Sequence, residues 1–335
     1  MSVSTRAALV LGLLALLVPF IHGCPTPEEA APFDAGGPPP AADPGPLPPR
    51  TACSGMTVGP GTHEFSVEYL GRTREYRVHV PPGYDATKPT PVVLAFHGAS
   101  SSPFEIQMMS GLSTLGDTEG FIAVYPAGLD GPDIDSRLRK DIRSFNGRIC
   151  CGAAQYFAVD DVGAMDRILD QLYTQVCLDP RRVYVTGFSN GAFFAYRLAC
   201  ERSRRITAIA PVSGLNGFIP CDSDRPVPVM HFHGTADPAI YYEGLASSNY
   251  PSAAQSVRAW AERNGCTGPQ VETYRRGDSS CQSYTGCGED AGTAATLCTV
   301  EGGGHAWPGT TVRTDATRDM DASRLMWNFF KDLSL

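Results

Sequence analysis

Lysine is nearly missing from this chain: Lys88, Lys140 and Lys331 are the only three among 335 residues. Lysine and arginine together number 27 against 35 Asp and Glu, for a formal net charge of −8. A chain so short of positive charge offers no basic field to a polyanion, so nucleic acid and anionic lipid head groups are not expected partners. Also lacking is an apolar run that would span a bilayer. The stretch Ala7 to Ile21 has 15 residues interrupted by Pro19, where about 20 are needed. Paired Cys-x-x-Cys or His-x-x-x-His spacing, which a metal site would need, does not occur. No metal and no cofactor is expected, and no internal repeat is visible. The 42% hydrophobic and 19% charged composition describes a foldable globular chain.

Proline is plentiful but uneven, with eleven of 28 before residue 51. Arg6, the short apolar run and the small-residue end Ile21-His22-Gly23-Cys24 describe an export signal over residues 1–23. That end resembles a bacterial lipobox, which makes Cys24 the candidate lipidation site and a lipid anchor the expected membrane contact. Plain secretion with cleavage near Gly23 is the other reading. Residues 24–50, with ten prolines between Pro25 and Arg50, have no hydrophobic periodicity and read as an extended tether. Residues 51–335 then form the folded domain.

Cysteine usage agrees with export. Of eleven cysteines, removing Cys24 leaves ten, enough for five disulfides. Proximity pairs Cys281 with Cys287 and Cys266 with Cys298. Cys150 and Cys151 are adjacent, and separate partners such as Cys53 are expected for them.

His63 to Tyr69 and Glu75 to Val80 alternate polar and apolar about Gly71-Arg72, as an antiparallel hairpin does. Short continuous apolar runs follow, at Pro91 to Phe96, Phe121 to Tyr125, Arg182 to Thr186, Ile206 to Pro211, Val227 to Phe232 and Ala295 to Val300. These read as buried parallel strands. Helical periodicity covers Asp161 to Val176, capped by Asp160 or Asp161, then Ala192 to Cys200, Ala253 to Arg263 and Ala322 to Phe330. Strands alternating with helices predict an α/β domain with a mostly parallel central sheet flanked by helices.

One strand-to-helix transition carries chemistry. Val183 to Thr186 runs into Gly187-Phe188-Ser189-Asn190-Gly191 and then into a helix. Flanking glycines let strand and helix approach closely while a tight turn exposes the serine hydroxyl to a helix N-terminus. Ser189 is therefore the candidate nucleophile. It needs a base and an acid to orient that base. Downstream, His233-Gly234-Thr235-Ala236-Asp237-Pro238 leaves a strand and presents Asp237, and Gly302-Gly303-Gly304-His305 presents His305. His231 and His233 alternate on an apolar strand, sharing a face, and read as packing or hydrogen-bonding residues. Asp222 and Asp224 are rival acids, but they precede the strand rather than follow it. His97-Gly98-Ala99 ends an earlier strand, which nominates the backbone N–H groups of Ala99 and Asn190 as oxyanion donors. Trp307 and Tyr125 are candidate subsite aromatics, with core packing as their alternative role. Asp160-Asp161 reads as a helix cap rather than a calcium site.

Gly-Phe-Ser-Asn-Gly, His-Gly-Thr-Ala-Asp-Pro and Gly-Gly-Gly-His-x-Trp-Pro-Gly, in that order, resemble the secreted poly(3-hydroxybutyrate) depolymerase and feruloyl/acetylxylan esterase family, which includes the family-one carbohydrate esterases. Cys150-Cys151-Gly152 and Val159-Asp160-Asp161-Val162-Gly163 resemble its middle segment. The resemblance runs from about Thr51 to the C-terminus and implies an α/β-hydrolase fold. It also implies Ser189 as nucleophile, Asp237 as acid, His305 as base, and Ala99 and Asn190 as oxyanion donors. Family members often carry Cys where this chain has Ala99, a change that a backbone donor tolerates. The expected function is an exported serine esterase that hydrolyses feruloyl or acetyl esters of plant polysaccharide, or short polyhydroxyalkanoate, through a Ser-His-Asp triad and an acyl-enzyme. Polyhydroxybutyrate depolymerase proper is one alternative, and a non-catalytic surface-binding lipoprotein is another. A peptidase of the same fold is disfavoured, because nothing resembles a gating cap or propeller. No appended polymer-binding segment is recognisable, which weighs against crystalline polyester.

Overall fold

The computed structural model describes Cys53 and residues 55–137, 140, 142–217, 221, 223–248, 250–288 and 294–335. The expected export signal and tether, the candidate lipidation site Cys24 and the rival acid Asp222 lie outside the described residues.

A hairpin opens the fold. Strands β1 (Gly61–Tyr69) and β2 (Arg72–Val80) pair antiparallel through a two-residue turn, in which Leu70 and Gly71 both take positive φ, 49° and 72°. After β3 (Thr90–Phe96) come two short helices, α1 (Pro103–Ser110) and α2 (Leu112–Glu119), then β4 (Ile122–Pro126). The long β4 exit carries α3 (Gly131–Ile134) and α4 (Gly152–Tyr156) before α5 (Asp161–Gln175). Next follow β5 (Leu178–Phe188), α6 (Asn190–Glu201), β6 (Ala208–Val212), β7 (Val229–Gly234) and α7 (Ala253–Arg263). A second hairpin, β8 (Gln270–Arg276) and β9 (Ser279–Tyr284), leads into β10 (Ala295–Val300) and α8 (Ala322–Phe330).

The strands form one sheet in the order β1-β2-β4-β3-β5-β6-β7-β10-β9-β8. The six central strands, β4 to β10, run parallel, and an antiparallel hairpin closes each edge. The apolar runs are explained by burial on both faces. On β3, Val92, Leu94 and Phe96 enter the core shared with α5, α6 and α7, while Val93 and Ala95 enter the core under α1, α2 and α8. Asp160, not Asp161, caps α5, its side chain accepting from the Gly163 N–H. Asp161 instead pairs with the buried Arg74 at 2.5 Å and accepts from the Asn146 N–H at 2.7 Å, which fastens the β4 exit to the sheet edge.

All ten described cysteines are paired, but not as proximity implied. Cys281 and Cys298 face each other across the β9–β10 ladder and are bonded; Cys266 and Cys287 form an isolated bridge and are bonded. Strand register, which sequence spacing did not reveal, sets this pairing. Cys150 and Cys151 are bonded to each other, and Cys53, the partner expected for one of them, is joined instead to Cys177. Cys200–Cys221 completes the set.

Candidate active site

The parallel strands all point their C-terminal ends at one edge of the sheet, and the turns carrying Ala99, Ser189, Asp237 and His305 lie there. At the end of β5, Ser189 takes φ 53° and ψ −118°, a conformation that costs a non-glycine residue on the order of 1–3 kcal/mol. The surroundings hold it there. Its N–H bonds to the Val212 carbonyl at 2.9 Å, and its carbonyl accepts from the Ala192 and Phe193 N–H groups of α6. Both motif glycines are sterically required. A Cβ on Gly187 would lie 3.0 Å from the Ala192 nitrogen, and one on Gly191 would lie 2.7 Å from the His97 carbonyl oxygen. Asn190 and Gly191 open α6, so their N–H groups have no partner in the helix preceding them.

The turn after β3 lies against the serine: a Cβ on Gly98 would approach Ser189 Cβ to 3.3 Å. His97 is fully buried and holds this turn. Its Nδ1 is 2.7 Å from the Gly98 carbonyl and its Nε2 accepts from the Gly128 N–H at 2.9 Å. The ring is therefore neutral with its proton on Nδ1. Burial pushes its pKa down to about 4, although the Gly98 bond works the other way. Fixing the Gly98 carbonyl also fixes the peptide plane that carries the Ala99 N–H.

Asp237 and His305 meet because β7 and β10 are parallel neighbours whose exit loops touch. Thr235 N–H bonds to the Val300 carbonyl and Ala236 N–H to the Gly303 carbonyl, each at 2.9 Å. A Cβ on Gly234 would lie 2.8 Å from the Gly304 oxygen. The outcome is a 2.7 Å hydrogen bond between His305 Nδ1 and Asp237 Oδ2. Asp237 Oδ1 accepts from the Ala239 and Ile240 N–H groups, both at 2.9 Å. Burial alone would raise this carboxyl, but the His305 bond, the Ile240 N–H and the nearby imidazoles outweigh it and hold it below the usual carboxylate range. The ring of Phe188, next to Ser189, packs against His305 with centroids 4.6 Å apart. The site thus holds a half-buried serine turn, an imidazole packed on the neighbouring Phe188 ring, and a buried carboxylate orienting that imidazole.

The family model described as "Putative esterase" matches residues 67–290. The chain belongs to the esterase family. By family it is a carboxylic ester hydrolase. Among its relatives, the esterase is 31% identical to "Putative esterase NocK" of Nocardia uniformis subsp. tsuyamanensis, over 73% of this chain and 74% of that one. It is 27% identical to "Feruloyl esterase B" of Piromyces equi over 78% of this chain, and the match spans 46% of that relative's length. Its fold is similar to the acetyl xylan esterase from Aspergillus awamori (TM-score 0.55, 13% identity, 80% of this chain and 99% of that one). It also resembles the ferulic acid esterase AmCE1/Fae1A from Anaeromyces mucronatus, solved with ferulic acid (TM-score 0.52, 16% identity, 85% and 94%). The α/β-hydrolase fold is thereby established.

The two aromatics nominated as subsites are corrected by the structure of the esterase. Trp307 is 1% exposed, its Nε1–H donating to Ser323 Oγ, which in turn donates to the Ser110 carbonyl; it ties the His305 loop to α8 and α1. Tyr125 is fully buried with its hydroxyl 2.8 Å from Ser113 Oγ. Neither has a ring face open to a substrate. Asp224 is exposed and paired with Arg204, away from the strand ends. The sequence reading missed the second role of Asn190. Its buried side chain accepts from the Phe145 N–H at 2.8 Å and donates to the Phe145 and Cys150 carbonyls at 3.0 and 3.1 Å, clamping the β4 exit to α6. Also missed was the buried tyrosine that partners His231; only the shared face of His231 and His233 hinted at it.

Proposed function

We propose that this chain is an exported serine esterase that releases feruloyl or acetyl groups from plant polysaccharide through Ser189, His305 and Asp237. The 2.7 Å bond from His305 to a carboxylate held by two backbone N–H groups, set against the Ser189 turn, carries the catalytic part of this reading. His305 takes the Ser189 proton as Oγ attacks the ester carbonyl, and Asp237 stabilises the imidazolium. The Ala99 and Asn190 N–H groups receive the developing oxyanion. The alcohol leaves with the proton from His305, and water releases the acyl group by the same steps reversed. Supporting the substrate class are the relatives whose names specify feruloyl and acetylxylan esters. Five disulfides support export, since such bonds persist in oxidising compartments. The Cys24 lipobox supports a cell-envelope anchor.

The test is hydrolysis of methyl ferulate, acetylated xylan and amorphous polyhydroxybutyrate, side by side, by the protein and by Ser189→Ala. Release of ferulate or acetate, lost in the variant, is expected. Clearing of the polyester alone would make the protein a depolymerase instead. Turnover unchanged in Ser189→Ala would remove the nucleophile assignment.

A further inference from the structure

Three buried polar side chains stand behind Asp237 and have no part in the chemistry above. The Tyr196 hydroxyl of α6 lies 2.8 Å from His231 Nδ1, His231 Nε2 lies 3.1 Å from His233 Nδ1, and His233 Nε2 lies 2.7 Å from the Ile240 carbonyl oxygen. Each of the three residues is 1% exposed or less. With both rings neutral, the state their burial favours, the direction of every bond follows by elimination. A carbonyl oxygen only accepts, so His233 Nε2 carries a proton. Nδ1 of that neutral ring then accepts, so His231 Nε2 donates. His231 Nδ1 must accept in turn, and the Tyr196 hydroxyl donates. An extra proton on either ring would set two N–H groups head to head or reverse one or more of these bonds. Burial accordingly depresses both imidazoles, His231 well below its ordinary value.

The chain ends on the turn that carries Asp237. Ile240 is held from both sides: its N–H donates to Asp237 Oδ1 at 2.9 Å, and its carbonyl accepts from His233. His233 Nε2 also lies 3.5 Å from Asp237 Oδ2, the oxygen that faces His305. We propose that Tyr196, His231 and His233 form a one-directional hydrogen-bond chain that positions Asp237, locking the 237–240 turn and keeping an N–H rather than a lone pair toward the carboxylate. They are positioning residues, and the inference rests on Asp237 being the acid of the triad.

Imidazole nitrogen NMR of the wild-type protein, labelled at histidine, reads the chain directly. Both His231 and His233 are expected as neutral Nε2–H tautomers at about pH 7 to 8; an Nδ1–H tautomer or a charged ring at either position overturns the proposal. Kinetics then read its role. His233→Gln keeps a donor near the Nε2 position, whereas His233→Asn keeps only an acceptor near Nδ1. With a simple aryl acetate, the Gln variant is expected within about threefold of wild-type kcat. The Asn variant is expected to fall roughly 10- to 100-fold, with KM changed less than about twofold. Equal activity of the two variants, high or low, overturns the proposal. If neither folds, Tyr196→Phe decides: a loss of roughly threefold in kcat is expected, and no loss overturns it. Retained turnover in Ser189→Ala would instead refute the triad, an outcome separate from the tautomers.

Discussion

Replacing Asp237 by Asn changes one atom and, on this geometry, reverses the polarity of the site. Asp237 Oδ1 receives two backbone N–H groups, from Ala239 and Ile240, while Oδ2 receives His305 Nδ1–H at 2.7 Å. An asparagine must turn its oxygen to the two backbone donors, since its NH2 there would set N–H groups against one another. Its NH2 then faces His305 Nδ1, which can only accept. The imidazole proton moves to Nε2, the nitrogen that takes the Ser189 proton in the proposed mechanism. A wrong tautomer of this kind lowers kcat/KM on the order of 10⁴-fold, or about 5.5 kcal/mol of transition-state stabilisation. Folding is little affected, because the amide keeps the size and the two N–H bonds of the carboxylate. The assay is kcat/KM for p-nitrophenyl acetate beside the thermal midpoint by circular dichroism. A folded Asp237→Asn protein with less than a tenfold loss would refute the reasoning.

Gly191→Ala places a Cβ 2.7 Å from the His97 carbonyl oxygen, so α6 must move by about an ångström and carry the Ser189 turn with it; a loss on the order of 10²-fold in aryl acetate turnover is expected. Stability should fall between pH 6.5 and 4: His97 stays neutral in the fold with its pKa at about 4, whereas the unfolded chain takes up a proton at about 6.5. That contribution is whole above about 6.5, is lost as pH falls, and is on the order of 3 kcal/mol in full. Urea unfolding at pH 7.5 and 5 checks it, and His97→Asn should lose less stability than wild type between the two. Joint replacement of Cys281 and Cys298 by Ser reopens a separation of 17 residues, which should cost about 3 kcal/mol in urea unfolding while kcat stays within a few-fold.

The parallel strands and the long helices were legible because burial on both faces leaves continuous apolar runs, and burial on one face leaves 3.6-residue periodicity. The β8–β9 hairpin was not, because β8 is mostly exposed and polar, and the Ser-rich β9 with its glycine-bearing turn reads as loop. Helices α1 and α2 are each eight residues long and meet at Gly111, too short to show a period. Ser189, Asp237 and His305 could be nominated because each sits in a glycine-bearing turn whose spacing has a steric cause, and the structure places all three turns at the C-terminal ends of the parallel strands. Trp307 and Tyr125 show why proximity to such a turn is insufficient: each side chain faces the core, and a sequence does not say which way a side chain at a strand end or in a loop points. The hydrogen-bond chain to Asp237 was unreadable for a related reason, since Tyr196 and His231 are separated by 35 residues and meet only because α6 packs on β5 and β6 and its tyrosine reaches to β7.

The central claim is that Ser189 is an activated nucleophile. The most direct measurement is labelling of the intact protein with a fluorophosphonate probe, with the modified residue located by peptide mass spectrometry, alongside Asp237→Asn and His305→Ala. Stoichiometric modification at Ser189, slowed strongly in both variants and blocked by an aryl ester, is the predicted result. No labelling of the folded protein, or labelling at another serine, would contradict it.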